Sequence, residues 1–396
     1  MMTNDQEQII QATLPIVAEN LSTIVNKFYS LLLSKNPELK NTFNSTNQKT
    51  GLQSKSLTNS IAAFAMNYNN LEAIQGMIRQ IAHKHCSVGV TREQYALVGS
   101  SLIAAIDEVL GAIVTDEIRA AWGAFYWTFA DCLISTEEKL YSEHANFNNN
   151  QQFKQYRIIK KVNEALNVFS LYLKPLDGKI DKFASGQYVS IKVNLGNYTQ
   201  IRQYSISDAE NAEYIRITIK CEANYDAETI AVSDFIYKNF QENDLCEISA
   251  PYGLFVLNPN SMKDVMLISA GVGITPTMSI LKTLISSTFS QQITFLHLTE
   301  NSQHHIFKQE LESINVDNLN KYVYYNNPLI SDVLHQDYFG SQFDFDNLQQ
   351  FANPNTDYYI CASDGIINLI QSKLISFGVD KDSIHHEAFQ PDSWSN

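Results

Sequence analysis

The spacing of apolar residues changes twice along the chain and divides it into three parts. Residues 1–143 carry apolar residues at helical spacing almost throughout. Residues 155–250 contain short alternating segments broken by glycine, aspartate and asparagine, as β-strands do. From about residue 261 strand-like and helical segments alternate, which is typical of a doubly wound parallel sheet. The pattern predicts an all-α domain at 1–145, a linker at 146–153, an antiparallel β-barrel at 154–259 and an α/β domain at 260–396.

Single elements follow from the same patterns. Asn36 and Pro37 favour a helix start, and residues 91–94 have the composition of a capping box. Barrel strands are predicted at 155–162, 166–173, 187–193, 202–207, 214–221 and 245–250. The α/β part is predicted to hold strands at 265–269, 292–298, 321–325 and 357–361, with helices at 275–286, 305–314 and 364–377.

Composition excludes several classes of protein. The 396 residues carry a formal net charge of −14, whereas nucleic-acid binding needs a basic surface. The five cysteines are scattered and form no C-x-x-C pair, which argues against a disulfide framework or a zinc cluster. No signal peptide is evident, and the longest apolar run, 265–285, fits a strand, turn and helix rather than a transmembrane segment. We therefore expect a cytoplasmic, monomeric protein.

Two separated motifs carry redox chemistry. Residues 202–205 read RQYS, in which an arginine and a hydroxyl suit phosphate and a tyrosine ring can lie on a flavin. Residues 271–276 read GVGITP at a predicted strand-to-helix junction, where glycines let the backbone approach a pyrophosphate. Alone, each motif also fits an ordinary strand or a tight turn.

In their order and spacing these motifs resemble the ferredoxin-reductase-like superfamily of FAD and nicotinamide dehydrogenases. The resemblance covers about 155–391. It implies that FAD is bound at the barrel and that the hydride path ends near a C-terminal acidic-x-Phe element. The implied FAD-binding residues are Tyr188, Arg202, Gln203, Tyr204, Ser205, Val232, Ser233 and Phe389. The implied NAD-binding residues are Gly271, Val272, Gly273, Ile274, Thr275, Pro276, Cys361 and Glu387.

The chain departs from that family at three places. The second flavin loop lacks its glycine and has Ala231 before Val-Ser. The usual Cys-Gly-Pro is Cys361-Ala362-Ser363, and Gln390 replaces a glycine. Glu300 ends the second α/β strand, where an acid suits a ribose hydroxyl and repels a 2′-phosphate. NADH is therefore favoured over NADPH, although Glu300 fits a solvated loop acid equally well.

Two histidines, His83 and His85, lie deep in the helical part, at one helix end before Gly89. A histidine in a helical domain is more often structural than a metal ligand. Taken singly, Tyr29 fits core packing and Glu137 fits an exposed helix acid. The combination of His85, Tyr29 and Glu137 with further residues is more specific than any one of them. These further residues are Phe28, Phe43, Gln53, Leu57, Lys84 and Tyr95.

This combination resembles a bacterial globin, and the chain end to end resembles the flavohaemoglobins. The resemblance makes His85 the proximal ligand of haem b iron, with Tyr95 and Glu137 on its other ring nitrogen. It makes Tyr29 the distal hydrogen-bond donor and Gln53 a secondary one. Phe43 and Leu57 wall the haem pocket, and Lys84 meets a propionate or the flavin domain.

The activity implied by the resemblance is nitric oxide dioxygenation: oxygen and nitric oxide become nitrate with NAD(P)H electrons relayed through FAD. Reduction of lipid or alkyl hydroperoxides on the same cofactors is the first alternative, and a wide apolar distal pocket retaining a lipid would favour it. A gas-binding or sensing protein with a weakened reductase half is the second. Slow haem reduction by NADH would favour that one.

Overall fold

A computed structural model describes residues 2–41, 52–144, 152–196, 198–211, 213–221, 231–333 and 343–389. Its contacts divide the chain into two compact units. One unit is Met1–Lys154 with Ser190–Arg202, and the other is Gln155–Val189 with Gln203–Asn396.

The N-terminal part is helical, as the pattern predicts. Its described α-helices are α1 Asn4–Glu19, α2 Leu21–Lys35, α3 Leu52–Asn67, α4 Gln75–Val88, α5 Arg92–Leu110 and α6 Asp116–Glu143. All six contribute to its buried core, around residues such as Phe28, Phe64 and Trp122. The capping box at the start of α5 is present, with Gln94 Oε1 accepting from the Thr91 N–H at 3.0 Å.

A helix begins at Pro37 as predicted, but it is a short 3-10 helix and not an α-helix, and the Asn36 side chain bonds to the preceding helix. The Asn36 amide turns back and donates to the Leu32 carbonyl at 3.0 Å, so it closes α2 instead of capping a new helix. The 3-10 helix spans Pro37–Asn41. By length and composition the described helical stretch Arg92–Ile113 could cross a membrane, but α5 packs against α2 and α6 within the helical core.

A six-stranded antiparallel sheet follows, in the order β4-β3-β6-β1-β2-β5. Buried residues alternate with exposed ones along the start of β1, as a sheet with one inward face requires. Its strands are β1 Phe153–Ala165, β2 Val168–Pro175, β3 Tyr188–Asn194, β4 Thr199–Ser205, β5 Ile215–Lys220 and β6 Leu245–Ser249, with helix α7 at Val232–Asn239. β1 begins within the predicted linker, whose residues 146–151 lie outside the described residues.

The C-terminal part is a parallel sheet in the order β11-β10-β7-β8-β9, with buried side chains on both faces. The predicted helix at 305–314 is shorter because Phe307 has a left-handed φ of 59°, which ends any continuous helix before it. The elements are β7 Asp264–Ala270, α8 Ile274–Ser286, β8 Ile293–Thr299, α9 Lys308–Ser313, β9 Leu319–Tyr325, α10 Ile330–Val333, β10 Thr356–Ala362, α11 Asp364–Ser376 and β11 Ile384–Ala388. The predicted order of all-α, antiparallel β and α/β parts is confirmed.

Candidate active site

His85 lies in the last turn of α4, which ends at Gly89 in the left-handed conformation. His83 is two residues away, so its side chain leaves the helix on a different face. His83 is buried, and burial is the main cause that lowers its pKa to about 4, with Arg79 and His144 adding to it. A side chain in that environment belongs to the interior of the helical part rather than to an open ligand position.

Two side chains, each from a different helix, contact the Nδ1 atom of His85. Glu137 Oε1 on α6 lies 2.8 Å from this nitrogen, and the Tyr95 hydroxyl on α5 lies 3.0 Å from it. Tyr95 also donates to Glu137 Oε1 at 2.5 Å. The carboxylate is only 3% exposed, and its hydrogen bonds to Tyr95 and His85 offset the cost of burying it.

This geometry fits a haem ligand. A carboxylate oxygen can only accept, so it holds the proton of His85 on Nδ1. Both described hydrogen bonds of the ring use Nδ1 and leave Nε2 for iron. A carboxylate on the far nitrogen fixes the tautomer and raises the basicity of a ligating imidazole. Burial raises the pKa of Tyr95, and the adjacent Glu137 raises it further, so Tyr95 stays a neutral donor.

Sequence reasoning missed the residue that holds Tyr95 in place. The Tyr126 hydroxyl on α6 donates to the Tyr95 carbonyl at 2.6 Å. A Cβ atom on Gly99 would lie 2.5 Å from the Tyr126 ring, so α5 needs glycine there. Tyr126 precedes Glu137 by eleven residues, or about three helical turns, and that spacing on one face was the available signal.

The residues assigned to the distal side are only partly described. Tyr29 on α2 is half-buried, its ring lies 4.8 Å from that of Phe28, and burial raises its pKa. Leu57 on α3 packs against the helical core. Gln53 lies in the first turn of α3 and its side chain is outside the described residues, as is all of Phe43. Lys84 on α4 is exposed.

An apolar cavity of about 30 Å³ lies within the helical part. Side chains of α1, α2, α3, α5 and α6 line it, among them Ile61, Phe64, Leu102, Trp122 and Phe125. An apolar cavity of this kind stays dry and favours a small apolar guest.

The proposed flavin motif lies on β4 as expected. Arg202 Nη1 donates to Gln200 Oε1 at 3.0 Å and to the Ile201 carbonyl at 3.1 Å, so its guanidinium is held along the strand. Gln203 and Tyr204 are half-buried, and Ser205 is buried at the strand end. A guanidinium is the side chain whose planar donor geometry best matches a phosphate.

Tyr188 begins β3 beside the end of the barrel. Its N–H and carbonyl each pair with Tyr252 at 2.8 Å. Gly253 follows with φ 122°, and a Cβ atom there would lie 3.1 Å from the Tyr188 ring. The close approach requires glycine, because an L side chain would be strained at this φ and would crowd the ring.

The glycine loop lies at the carboxyl end of β7, where parallel sheets bind ligands. Gly271 has φ 53°, and a Cβ atom on Gly273 would lie 2.1 Å from the Cys361 carbonyl of β10. No side chain caps α8 at Gly273, so its first N–H groups can receive a phosphate. The first-turn residues Ile274, Thr275 and Pro276 are buried, and Val272 packs against the same core.

The departures from the reductase pattern leave the backbone unstrained. Ala362 ends β10 in ordinary strand pairing with Ala388, and Ser363 stands at the N-cap position of α11 with an extended backbone. Ala231 likewise has an extended backbone and precedes Val232 and Ser233, which open α7 buried. Residues 228–230 and Gln390 lie outside the described residues.

The C-terminal element returns to this edge of the sheet. Glu387 on β11 pairs in register with Cys361, which is fully buried, and burial raises the pKa of that thiol. The Phe389 N–H donates to the Ala362 carbonyl at 3.0 Å. Glu300 follows β8, and its carboxylate accepts from Asn327 Nδ2 at 2.6 Å. The structure therefore brings Glu387, Phe389, Cys361 and the glycine loop to one edge.

Three family models match the chain. A globin model covers residues 26–133, an oxidoreductase FAD-binding domain model covers 156–257, and an oxidoreductase NAD-binding domain model covers 267–372. The flavohemoprotein of Bacillus anthracis is 39% identical over 399 residues, which are 99% of each chain. That of Bacillus subtilis is 38% identical over 398 residues, 99% of this chain and 98% of the relative.

Solved structures of flavohemoglobin and of a nitric oxide dioxygenase domain match the same parts of the chain. The flavohemoglobin from Malassezia yamatoensis with bound FAD and heme matches with a TM-score of 0.82 at 25% identity, over 98% of this chain and 99% of that one. The FAD/NAD-binding domain of nitric oxide dioxygenase from Vibrio cholerae matches with a TM-score of 0.54 at 30% identity. That match covers 60% of this chain and 99% of the other.

Proposed function

We propose that this chain, which belongs to the flavohaemoprotein family, is a nitric oxide dioxygenase that converts nitric oxide and oxygen to nitrate. It is an oxidoreductase whose cofactors are haem, FAD and a nicotinamide dinucleotide. When bound, FAD accepts a hydride and releases electrons singly, and haem iron binds diatomic gases. We further propose that it works as a cytoplasmic monomer and takes its electrons from NADH.

One observation carries the proposal: the buried Glu137 carboxylate lies against Nδ1 of His85, the proposed iron ligand. A basic proximal ligand donates electron density to iron and favours oxygen activation over reversible oxygen carriage. Tyr95 and Glu137 hold the imidazole, while Tyr29 on α2 would donate a hydrogen bond to a gas bound in the haem pocket. The match to a nitric oxide dioxygenase reductase domain adds support.

The residues of the reductase half have separate tasks in this proposal. Arg202 and Ser205 bind the flavin phosphates, and Tyr204 and Tyr188 lie against the flavin. Phe389 covers the flavin ring and gives way to nicotinamide. The turn at Gly271 and Gly273, with the start of α8, binds the nicotinamide dinucleotide.

The test is nitric oxide consumption by the full-length holoenzyme with NADH and oxygen. Each nitrate requires one electron and each hydride supplies two, so two nitrate ions should form for each NADH oxidised. Oxidation of NADH by cumene hydroperoxide at a higher rate than by nitric oxide would instead support the peroxide reductase. Nitric oxide binding without sustained turnover would support the gas-binding protein.

A further inference from the structure

A partly buried cluster of two cations and two anions joins the barrel to the α/β part. We call it the four-charge cluster: Asp208 just after β4, Arg216 on β5, Lys282 on α8 and Glu310 on α9. All four residues belong to the same compact unit. None of them is among the residues implied for haem, FAD or nicotinamide binding.

The four side chains contact one another alternately. Arg216 Nη1 donates to Glu310 Oε2 at 2.7 Å, and its Nε lies 3.7 Å from Asp208 Oδ2. Lys282 Nζ donates to Glu310 Oε1 at 2.7 Å and also pairs with Asp208. Each cation therefore contacts both anions, and the formal charges of the cluster sum to zero.

Arg216 is the centre of this arrangement and is 2% exposed. Its Nε donates to Ser207 Oγ at 3.1 Å, and Nη2 donates to the Ser207 carbonyl. Its guanidinium carbon lies 4.4 Å from the centre of the Phe307 ring, a residue of the α/β part. The guanidinium is therefore held by Ser207, by Glu310 and by the Phe307 ring. Because it is planar and its donors have fixed directions, it also fixes the orientation of these neighbours, which a flexible ammonium group cannot do.

The cluster connects two candidate binding elements through short stretches of rigid chain. Asp208 is three residues after Ser205, the end of the flavin strand β4. The Asp208 carbonyl accepts from Ser279 Oγ on α8 at 2.8 Å. Ser279 is five residues, or about 7.5 Å of helix, from Ile274, where α8 leaves the glycine loop. A shift of α8 against the barrel would therefore break the contacts of the cluster.

We propose that the four-charge cluster sets the distance and angle between the segment that follows the flavin strand, at Ser207 and Asp208, and the nicotinamide loop, with Arg216 as a positioning residue for hydride transfer. Arg216 acts through Ser207, Asp208 and α8. The inference depends on FAD and nicotinamide binding and is independent of nitric oxide, so either proposal can fail alone.

The decisive variant is Arg216→Met, which keeps the length and apolar contacts of the side chain and removes its charge. The measurement is anaerobic flavin reduction by NADH in the full-length holoenzyme, followed by stopped flow. We expect the limiting rate to fall by about 10- to 100-fold, because a misplacement of about 1 Å can cost that much. The NADH concentration that gives half the limiting rate should change less than threefold, since the binding loop is intact.

Two further readouts separate positioning from loss of structure. The long-wavelength charge-transfer absorbance of the reduced flavin with NAD⁺, which requires stacked rings, should weaken in Arg216→Met and partly recover in Arg216→Lys. Calorimetry of the full-length holoenzyme should show that the barrel and the α/β part unfold at separate temperatures in Arg216→Met, whereas a single transition like that of the wild type would contradict the proposal. If Arg216→Met does not fold, Glu310→Gln replaces it, because Glu310 is partly exposed and its amide keeps the shape.

Asp357→Asn is the matched control. Asp357 is a buried acid that pairs with Lys263 Nζ at 3.0 Å, but both residues lie at the amino end of the parallel sheet, away from the nucleotide edge. Asp357→Asn should lower the unfolding temperature of the protein and leave the limiting rate of flavin reduction unchanged. The proposal would be overturned if the limiting rate of flavin reduction in Arg216→Met, or in Glu310→Gln where that replaces it, stayed within fivefold of the wild-type rate. It would also be overturned if Asp357→Asn lowered this rate by the same factor.

Discussion

Replacing Glu137 by glutamine removes one buried negative charge and keeps the size of the side chain. The wild-type carboxylate lies 2.8 Å from His85 Nδ1 and accepts from Tyr95 at 2.5 Å. An amide oxygen can still accept both hydrogen bonds, so the ring should keep its orientation. What the variant loses is the charge that makes His85 a strongly donating ligand.

The expected size of the effect follows from hydrogen-bond energies. A bond to a charged group contributes about 1.5–3 kcal/mol and a neutral one about 0.5–1.5 kcal/mol. The difference is therefore about 1–1.5 kcal/mol. Ferric haem carries one more positive charge than ferrous haem, so it loses more when the anion is removed. For a one-electron couple, about 1.4 kcal/mol corresponds to roughly 60 mV.

The assay is a spectroelectrochemical titration of the ferric–ferrous couple. We expect the midpoint potential of Glu137→Gln to rise by roughly 60 mV. Glu138→Gln is the control, because Glu138 also loses one charge but is exposed and pairs only with Arg92 at 3.2 Å among the described contacts. A potential of Glu137→Gln within about 10 mV of wild type, or an equal rise in both variants, would refute the role given to Glu137.

Three further predictions concern other residues. Tyr29→Phe should speed oxygen dissociation, measured by flash photolysis, because it removes the proposed distal donor. Gly99→Ala should lower the free energy of unfolding by about 1–3 kcal/mol, because the new methyl meets the Tyr126 ring. In His305→Gln the unfolding temperature should depend less on pH between 6.5 and 5. Burial, together with the nearby Lys308, lowers the folded-state pKa of His305 to about 3. As the pH falls, the histidine is therefore protonated first in the unfolded chain. The stability of the wild type is lost as the pH falls below 6.5.

Each of these predictions has a matched comparison. Tyr68→Phe, a tyrosine whose hydroxyl accepts from Gln11 at 3.2 Å, should leave oxygen dissociation unchanged. Gly123→Ala should cost little, since no atom lies within 4 Å of its added Cβ. For His305→Gln the comparison is the range above pH 6.5, where the histidine is neutral in the folded and the unfolded chain and the variant should follow the wild-type pH dependence. The argument for Tyr29 would be contradicted by an unchanged rate of oxygen dissociation in Tyr29→Phe. That for Gly99 would be contradicted by a wild-type free energy of unfolding in Gly99→Ala. That for His305 would be contradicted if the unfolding temperature of His305→Gln depended on pH as it does in the wild type.

Most of the fold could be predicted because the periodicity of apolar residues is a local signal. Strand β7 is a continuous apolar run buried on both faces, and the glycines at 271 and 273 mark its end. The start of α5 was readable from its capping box. The failures came from competing local contacts: the Asn36 amide bonds backward to Leu32, and Phe307 adopts a left-handed φ that no composition rule indicates.

The site was less predictable, because its contacts join residues far apart in sequence. The meeting of His85, Tyr95 and Glu137 was expected only from the family resemblance. Arg216 stands in an ordinary strand pattern, and nothing local distinguishes it from an exposed strand arginine. Its burial depends on Glu310, which is 94 residues away. Such charge clusters become visible only when the packing of the domains is known.

The most direct test of nitric oxide dioxygenation is the origin of the oxygen atoms in nitrate. The full-length holoenzyme would be given NADH, nitric oxide and ¹⁸O₂, and the nitrate analysed by mass spectrometry. The account predicts nitrate that carries both atoms of one oxygen molecule. Nitrate without label, or nitric oxide consumed with no nitrate formed, would contradict it.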